Sequence, residues 1–404
     1  MNKISVCEVC GSKSLAEVLN LGEHPLCDDL IAVGNNTISR QYPIEILLCQ
    51  FCLTAHQKFQ VPKNELFPKN YHYRSRFTQD VLNGMQNLAN NIDDFLPFGV
   101  NNKVVLDIGA NDGSLLNYFK ELGAITVGIE PTDAAKDAEH HFIYQEYFNL
   151  EIAEQIKDKF GYPDVITFTN VFAHIENLHL VIDSLKILIG NDTLIVIENH
   201  YLGSILAKNQ FDTFYHEHPR TYSSRSFEFV AQNLNAKINK INFTERYGGN
   251  IQVYISRSGP EIDSNLLNDL FESEKTFEDK FEQLNKSIVL WKNKTLSLLK
   301  NLNGTYGALP AKAFPGRAAI LIKLLGIGEK QIFAVYEKPG SQKIGNYVPG
   351  TRIPIRSDLE LSDIDGDLPI INLSWHISSE ITKYLNELNY KGKIFHIIDF
   401  SSFI

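Results

Sequence analysis

Two cysteine pairs, Cys7-x-x-Cys10 and Cys49-x-x-Cys52, have the spacing of metal-binding knuckles. Four thiolates from two turns supply a closed tetrahedral shell, so the expected ion is a zinc with a structural role and no open position for catalysis. Gly11, directly after Cys10, suits a knuckle that bends back on the metal, and Cys27 reads as a plain buried thiol. The bland alternative is buried free thiols or a disulfide. A second concentration of chemistry is Asp212–Ser223, where Tyr215, His216, Glu217 and His218 are adjacent and Pro219 disfavours a regular helix. A histidine can accept a carbon-bound proton near neutral pH, and a neighbouring carboxylate can fix its tautomer. A tyrosine hydroxyl can donate to a developing enolate oxygen. The competing reading is a polar loop with one structural histidine; metal binding by His216 and His218 has weaker support. Asn170-Val-Phe-Ala-His174 closes an apolar run, placing Asn170 and His174 at a strand end. Tyr71 and Tyr73, at alternate positions within Phe67–Ser75, either pack or help close a site.

The stretch Val104–Leu116 carries the cofactor signal. A short apolar run ends in Asp107, a turn with Gly109 and Gly113 follows, and Asp112 leads into an apolar helix start at Leu115 and Leu116. Strand, roomy turn and helix N-terminus form the first unit of a nucleotide-binding α/β fold. The second strand, Ile125–Glu130, ends in a carboxylate at about the distance expected for a ribose-binding group. The turn is not G-x-G-x-x-G, so a dinucleotide is not the expected ligand. Asp107-x-Gly109-x-x-x-Gly113 resembles the first motif of class I S-adenosylmethionine-dependent methyltransferases. That resemblance implies a donor site formed by Asp107, Gly109, Asn111, Asp112, Gly113, Glu130, Pro131 and Asn170.

These groups must be positioned by a chain of 404 residues, long enough for two or three domains. Strands and helices alternate from Val104 to Glu198, the signature of a parallel sheet with crossover helices. The expected helices lie at Phe77–Phe95, Leu115–Glu121, Ile152–Lys159, Leu178–Ile187 and Phe227–Leu234. Ile238–Phe243 and Ile251–Ser256 read as further strands. Beyond Pro260 a long helical pattern runs from Ser264 to about Leu302. A turn at Tyr306–Lys312, a helix Ala318–Leu325 and strands near Gln331–Tyr336, Leu368–Leu373 and Ile394–Ile398 then suggest a second, smaller Rossmann-like unit. His140, His141, His179 and His200 read as surface or structural residues.

Composition is ordinary for a globular protein: 44% hydrophobic, 21% charged, net charge −10. With no Lys/Arg block, non-specific nucleic-acid binding is disfavoured. The longest apolar runs fall far short of a membrane span, and the N-terminus has no stretch of signal-peptide length, so a cytoplasmic protein is expected.

Taken in order, several motifs resemble the nucleotide-sugar C-methyltransferases, which install branching methyls on deoxysugars. They are the cysteine knuckles, Phe67-x-x-x-Tyr71-x-Tyr73-x-Ser75, Asp107–Gly113, Asn170–His174, Tyr215-His-Glu-His218, Tyr247-Gly-Gly249 and Asn346–Ile355. The resemblance implies an α/β chain with a zinc-binding module at 1–75 and a central class I methyltransferase domain at 76–260. A C-terminal Rossmann-like domain at 261–404 would hold the sugar nucleotide. It further implies a nucleotide-linked 4-keto-6-deoxy sugar as substrate, methylated at C3. His218 would be the base, and Tyr215 and Glu217 would act on the sugar or enolate. His174 and Asn170 would orient the reactants, and Tyr71 or Tyr73 would complete the pocket. Two features depart from the family pattern: Thr305–Arg317 carries Pro310 and lacks the glycine expected at Ala313, while Tyr247 and Asn250 replace a usual His and Ser. An O- or N-methyltransferase, or a non-catalytic zinc-scaffolded nucleotide binder, are the rival readings.

Overall fold

The apolar runs around the glycine turn condense into a seven-stranded sheet: β1 (Val104–Ile108), β2 (Ile125–Ile129), β3 (Phe142–Tyr144), β4 (Val165–Thr169), β5 (Leu194–His200), β6 (Lys237–Thr244) and β7 (Asn250–Ser256). Their order across the sheet is β6-β7-β5-β4-β1-β2-β3. All neighbours run parallel except β7, which lies antiparallel to both β5 and β6. The order reverses between β1 and β4, and the crevice at such a switch point is where open α/β sheets hold ligands. Helix α1 (Gln79–Phe95) buries Val81, Met85, Leu88, Ala89 and Ile92 in the cluster that contains Val105, Val196 and Tyr254 of the sheet. It begins at Gln79 rather than Phe77 because Ser75–Phe77 forms a tight 3-10 turn of its own.

The computed structural model describes residues 1–66, 74–399 and 403. The chain divides into two units. The sheet belongs to the first, made of Met1–Ala16, Leu47–Lys208 and Glu217–Phe277; the second is made of Glu17–Ile46, Asn209–His216 and Glu278–Ile404.

The second unit holds a five-stranded sheet of β8 (Leu309–Lys312), β9 (Ile332–Glu337), β10 (Ile355–Ser357), β11 (Ile370–Asn372) and β12 (Ile394–His396). The order is β10-β9-β8-β11-β12 and every pairing is parallel. The expected turn at Tyr306–Lys312 is therefore mostly strand. Pro310 lacks a ladder donor, and a register irregularity between Leu309 and Pro310 accommodates it in a central strand. Helix α2 (Phe277–Tyr306) supplies the core residue Trp291, whose ring lies 4.9 Å from Phe211 and whose Nε1–H donates to the Ile397 carbonyl at 2.8 Å. Cys27 is buried in this unit, as a plain thiol would be. Among the described residues no helix is long and apolar enough to cross a membrane.

Gly109, directly after β1, has no room for a side chain. Its φ is +79°, and a Cβ there would stand 2.4 Å from Cγ2 of Val171. Gly109→Ala is expected to cost about 1–3 kcal/mol through left-handed strain and the forced shift of Val171. Urea unfolding of the variant checks this, and an unchanged midpoint would refute it.

Candidate active site and zinc-binding cluster

The zinc-type cysteines come together in the first unit. Their four sulfurs all lie within 4.8 Å of one another, with Cys7 3.4 Å from Cys52 and Cys10 3.6 Å from Cys49. A tetrahedral zinc with bonds of about 2.3 Å requires sulfur–sulfur edges of about 3.8 Å, so the donor set fits. The two knuckles have the same backbone. Gly11 N–H bonds back to the Cys7 carbonyl and Leu53 N–H to that of Cys49, while Cys7 N–H reaches Ser12 O and Cys49 N–H reaches Thr54 O. Gly11 and Leu53 are both left-handed, at φ 75° and 58°. Packed without a cation, the thiols oppose one another: bonding to Cys49 pushes Cys7 up to about 12, while bonding from Cys52 and Cys7 pushes Cys49 down. A divalent cation removes that conflict by holding all four as thiolates.

The knuckle is fastened to the chain that follows His218. Ala55–Gln57 pairs antiparallel with Arg220–Thr221, and Gln57 N–H donates to the Pro219 carbonyl at 2.9 Å. Arg220, fully buried, donates from Nη1 to Glu8 at 2.6 Å and from Nε to the Tyr222 hydroxyl at 3.1 Å. Ser223 caps α3 (Ser224–Asn233) and donates its hydroxyl to the Cys52 carbonyl at 2.9 Å.

The glycine turn follows β1. Asp107 is buried and accepts a hydrogen bond from Thr167 Oγ1 at 2.7 Å. Asn111 N–H donates to Glu130 Oε2 at 3.0 Å, and the N–H and hydroxyl of Thr132 donate to Glu130 Oε1. Asp112 takes the Ser114 hydroxyl on Oδ1 and the Arg76 N–H on Oδ2. Gly109, Asn111 and Gly113 all have positive φ, which curls the turn at the sheet edge. Pro131 is half-buried directly after Glu130. The expected donor-site residues thus lie on one edge, at the ends of β1, β2 and β4.

A histidine cluster lies at the ends of β4 and β5. His218 is 4.8 Å, ring to ring, from His174 and 5.2 Å from His200, which in turn is 5.6 Å from Tyr247. His174 Nδ1–H donates to the Glu217 carbonyl at 2.7 Å, and burial pushes its pKa down to about 4. It is a neutral imidazole whose tautomer is set by that carbonyl. His200, expected at the surface or in a structural role, is half-buried against His218 instead. The sequence signal for it was its place two residues after Glu198 on an apolar strand.

Tyr215 and His216 belong to the second unit, and Glu217 and His218 to the first. His216 Nε2–H donates to the Tyr42 carbonyl at 3.1 Å, and burial pushes its pKa down to about 4. This is the structural histidine of the cluster. Tyr71 and Tyr73 lie outside the described residues.

In the second unit, Asp212 Oδ2 accepts from Arg317 Nε at 2.8 Å and from Trp375 Nε1 at 2.9 Å. Lys312, at the end of β8, is ion-paired with buried Asp358 at 2.6 Å. Ala313 takes φ 61°, and Phe314 N–H donates to the Glu337 carboxylate. The altered turn therefore keeps the left-handed backbone that a glycine would allow. Cavities of about 580 Å³ beside Arg76, Ser114 and Lys120, and of about 750 Å³ beside Ser378, Lys383 and His396, have no residue of the histidine cluster in their lining. Neither is read as the reaction site.

Comparison with known proteins adds the family. A methyltransferase-domain family model matches residues 81–240, a C-methyltransferase C-terminal-domain model matches 245–398, and a zinc-binding-domain model matches 7–67. The chain is 25% identical to the C-methyltransferase NovU of Streptomyces niveus over 398 residues, 94% of this chain and 91% of that protein. Similar solved structures include the magnesium protoporphyrin IX methyltransferase of Synechocystis PCC 6803 with bound SAH, at 15% identity and TM-score 0.34, covering 43% of this chain and 84% of that one. Another is the PH0226 protein of Pyrococcus horikoshii OT3, at 11% identity and TM-score 0.35, covering 48% and 98%.

Two predictions follow from this geometry. Cys49→Ser with Cys52→Ser should abolish stoichiometric zinc, lower the melting temperature, and loosen the Pro219–Thr221 pairing, read as faster amide exchange at Gln57. Full zinc content in the double variant would overturn the assignment. The second concerns Asp107, whose carboxyl burial raises to about 7 from an ordinary 3.8. A raised native pKa means the folded protein binds more protons. Its stabilisation is complete below about pH 4 and is lost as pH rises through 7. Ligand-free protein should therefore lose stability between about pH 4 and 7, on the order of a few kcal/mol. Asp107→Asn should flatten that slope in melts across the range; an unchanged slope would refute it.

Proposed function

Because the chain belongs to the zinc-containing, S-adenosylmethionine-dependent C-methyltransferases, we propose that it methylates a ring carbon, C3, of a nucleotide-linked 4-keto-6-deoxy sugar. The observation that carries this reading is the His174–His218–His200 cluster at the donor-site edge, with the His174 tautomer already fixed. Bound S-adenosylmethionine supplies an electrophilic methyl group. The chain's task is to make a carbon nucleophile, and a ketone acidifies the neighbouring C–H enough for an imidazole to remove its proton. His218 takes that role. His174 stays neutral and orients it, while Tyr215 and Glu217 act on the sugar or the enolate oxygen. Exclusion of water around the enolate falls to the zinc-bearing part.

In functional terms the chain reads as a zinc-binding part at 1–75, a donor-binding part at 76–260 and an acceptor-binding part at 261–404. The all-parallel sheet of the second unit supports nucleotide binding there, since its order reverses between β8 and β11. The preserved left-handed turn at Ala313 favours a sugar nucleotide over a different acceptor class. The net charge of −10 and the lack of a Lys/Arg block favour a small-molecule substrate over nucleic acid, and a cytoplasmic enzyme fits that reading.

The test is methyl transfer from carbon-13-methyl S-adenosylmethionine to a panel of nucleotide-linked 4-keto-6-deoxy sugars, read by NMR. A new carbon–carbon methyl signal is expected. His218→Ala should lose at least about a hundredfold in turnover, as removal of a general base does, and should no longer exchange solvent deuterium into C3. A methyl group on oxygen or nitrogen, or exchange that survives in His218→Ala, would refute the reading.

A further inference from the structure

At the end of β5 a buried carboxylate organises a chain of carboxamides. Glu198 is 1% exposed. Its Oε1 accepts from Arg246 Nη1 at 3.0 Å and Asn250 Nδ2 at 2.9 Å, and its Oε2 accepts from Gln252 Nε2 at 2.7 Å. The same Asn250 Nδ2 also donates to Asn170 Oδ1 at 3.1 Å. Asn170 stands directly after β4 at φ 55°, pinned by its N–H to the Glu198 carbonyl at 2.8 Å.

The chemistry of these groups fixes their orientation. An ionised carboxylate only accepts, so Asn250 must turn its NH2 toward Glu198. Asn170 then meets a donor and must answer with its oxygen. Its own NH2 is forced to the opposite side, where it has no hydrogen-bond partner among the described residues. The arrangement is costly, because Asn250 Oδ1 and Gln252 Oε1 are left buried without partners. A carboxamide held this firmly, at the open end of the strand beside β1, is a donor aimed at an acceptor.

We propose that Asn170 NH2 binds the carboxylate of the methyl donor's amino-acid end, and that Glu198 is the positioning residue that turns it there through Asn250. The assignment rests on the donor-site reading given above. Glu130 closes β2 and is the group suited to ribose hydroxyls, so the other end of the donor extends across β1 toward β4. Two strand spacings make roughly 10 Å, about the span from ribose to carboxylate. Glu130 spends its oxygens on the Asn111 and Thr132 N–H groups and the Thr132 hydroxyl and offers a carboxylate no donor, whereas Asn170 does.

Calorimetry with two nucleosides tests this: S-adenosylhomocysteine, which has the carboxylate, and 5′-methylthioadenosine, which lacks the whole amino-acid end. Asn250→Asp places at that position a carboxyl whose single proton goes to Glu198, so Asn170 must flip and present oxygen to the ligand. S-adenosylhomocysteine should then bind about ten- to a hundredfold more weakly, the usual range for a charge-assisted hydrogen bond, with 5′-methylthioadenosine unchanged. Asn170→Gly removes the carboxamide while easing the positive φ; it should show the same selective loss in a protein that stays folded. Equal weakening of both nucleosides, or of neither, in Asn170→Gly overturns the assignment alone. Failure of the unaltered protein to bind either nucleoside overturns the donor-site reading as well.

Discussion

The pairing of Ala55–Gln57 with Pro219–Thr221 is the constraint on which the rest of the site depends. His218 is followed by a proline, so its segment cannot be held by helical hydrogen bonds. The segment is held instead by a borrowed strand. That strand lies inside a four-stranded sheet, with the strand that ends at Cys49 on its other side. The second cysteine knuckle joins the two. Its chain runs from Cys52 directly into Ala55, and Ser223 Oγ–H closes the return by bonding the Cys52 carbonyl. A zinc-type cluster with no catalytic opening thus bears on catalysis through geometry: it fixes the backbone next to the proposed base.

A second constraint is electrostatic. The donor-site edge concentrates Asp107, Glu130 and Glu198 in buried positions with different supports. Glu198 is matched by Arg246 and two carboxamides, and Glu130 by backbone N–H groups and Thr132. Asp107 has the Thr167 hydroxyl, and burial holds its carboxyl near neutrality. A cationic ligand favours the ionised form of such a group, so its binding would be coupled to release of the Asp107 proton.

Much of this was legible in the sequence where one local rule sufficed. Ala318–Leu325 forms the expected helix, and Val104–Ile108 extends the expected strand by a single residue, because apolar periodicity and glycine punctuation act within a few positions. Two C-x-x-C pairs sufficed for the cluster of thiols. The polar scaffold was not legible. Glu198, Arg246, Asn250 and Gln252 meet only because β7 runs antiparallel beside β5, a pairing that no spacing announces. His216 and His218 illustrate the converse. Two positions apart in sequence, one is committed to the Tyr42 carbonyl in the second unit and the other stacks on His174 in the first. Composition could not distinguish them. The turn expected at Tyr306–Lys312 is largely strand because a register irregularity lets a central strand accept Pro310.

Three of the nine left-handed non-glycine residues among those described lie at the same edge. Asn111, Asn170 and Tyr247 all have φ between 50° and 55°, a region that disfavours side chains other than asparagine and glycine and is least comfortable for an aromatic. Each ends or follows an element that faces the crevice. Relaxation of any one would withdraw a side chain from it, and each is opposed by a bond from outside its own turn. Asn111 is held by Glu130, and Asn170 by Glu198 and Asn250, while Tyr247 lies between Arg246, tied to Glu198, and the paired glycines that admit Ser204. A fold selected for stability alone would have placed glycine at these turns and apolar groups where Asn250 and Gln252 leave oxygens unpaired. Strain and unpaired polarity persist together here because the same contacts that oppose relaxation also direct donors and rings into the crevice. That coincidence is what a binding edge, rather than a boundary of the core, would require, and it accords with the function proposed above.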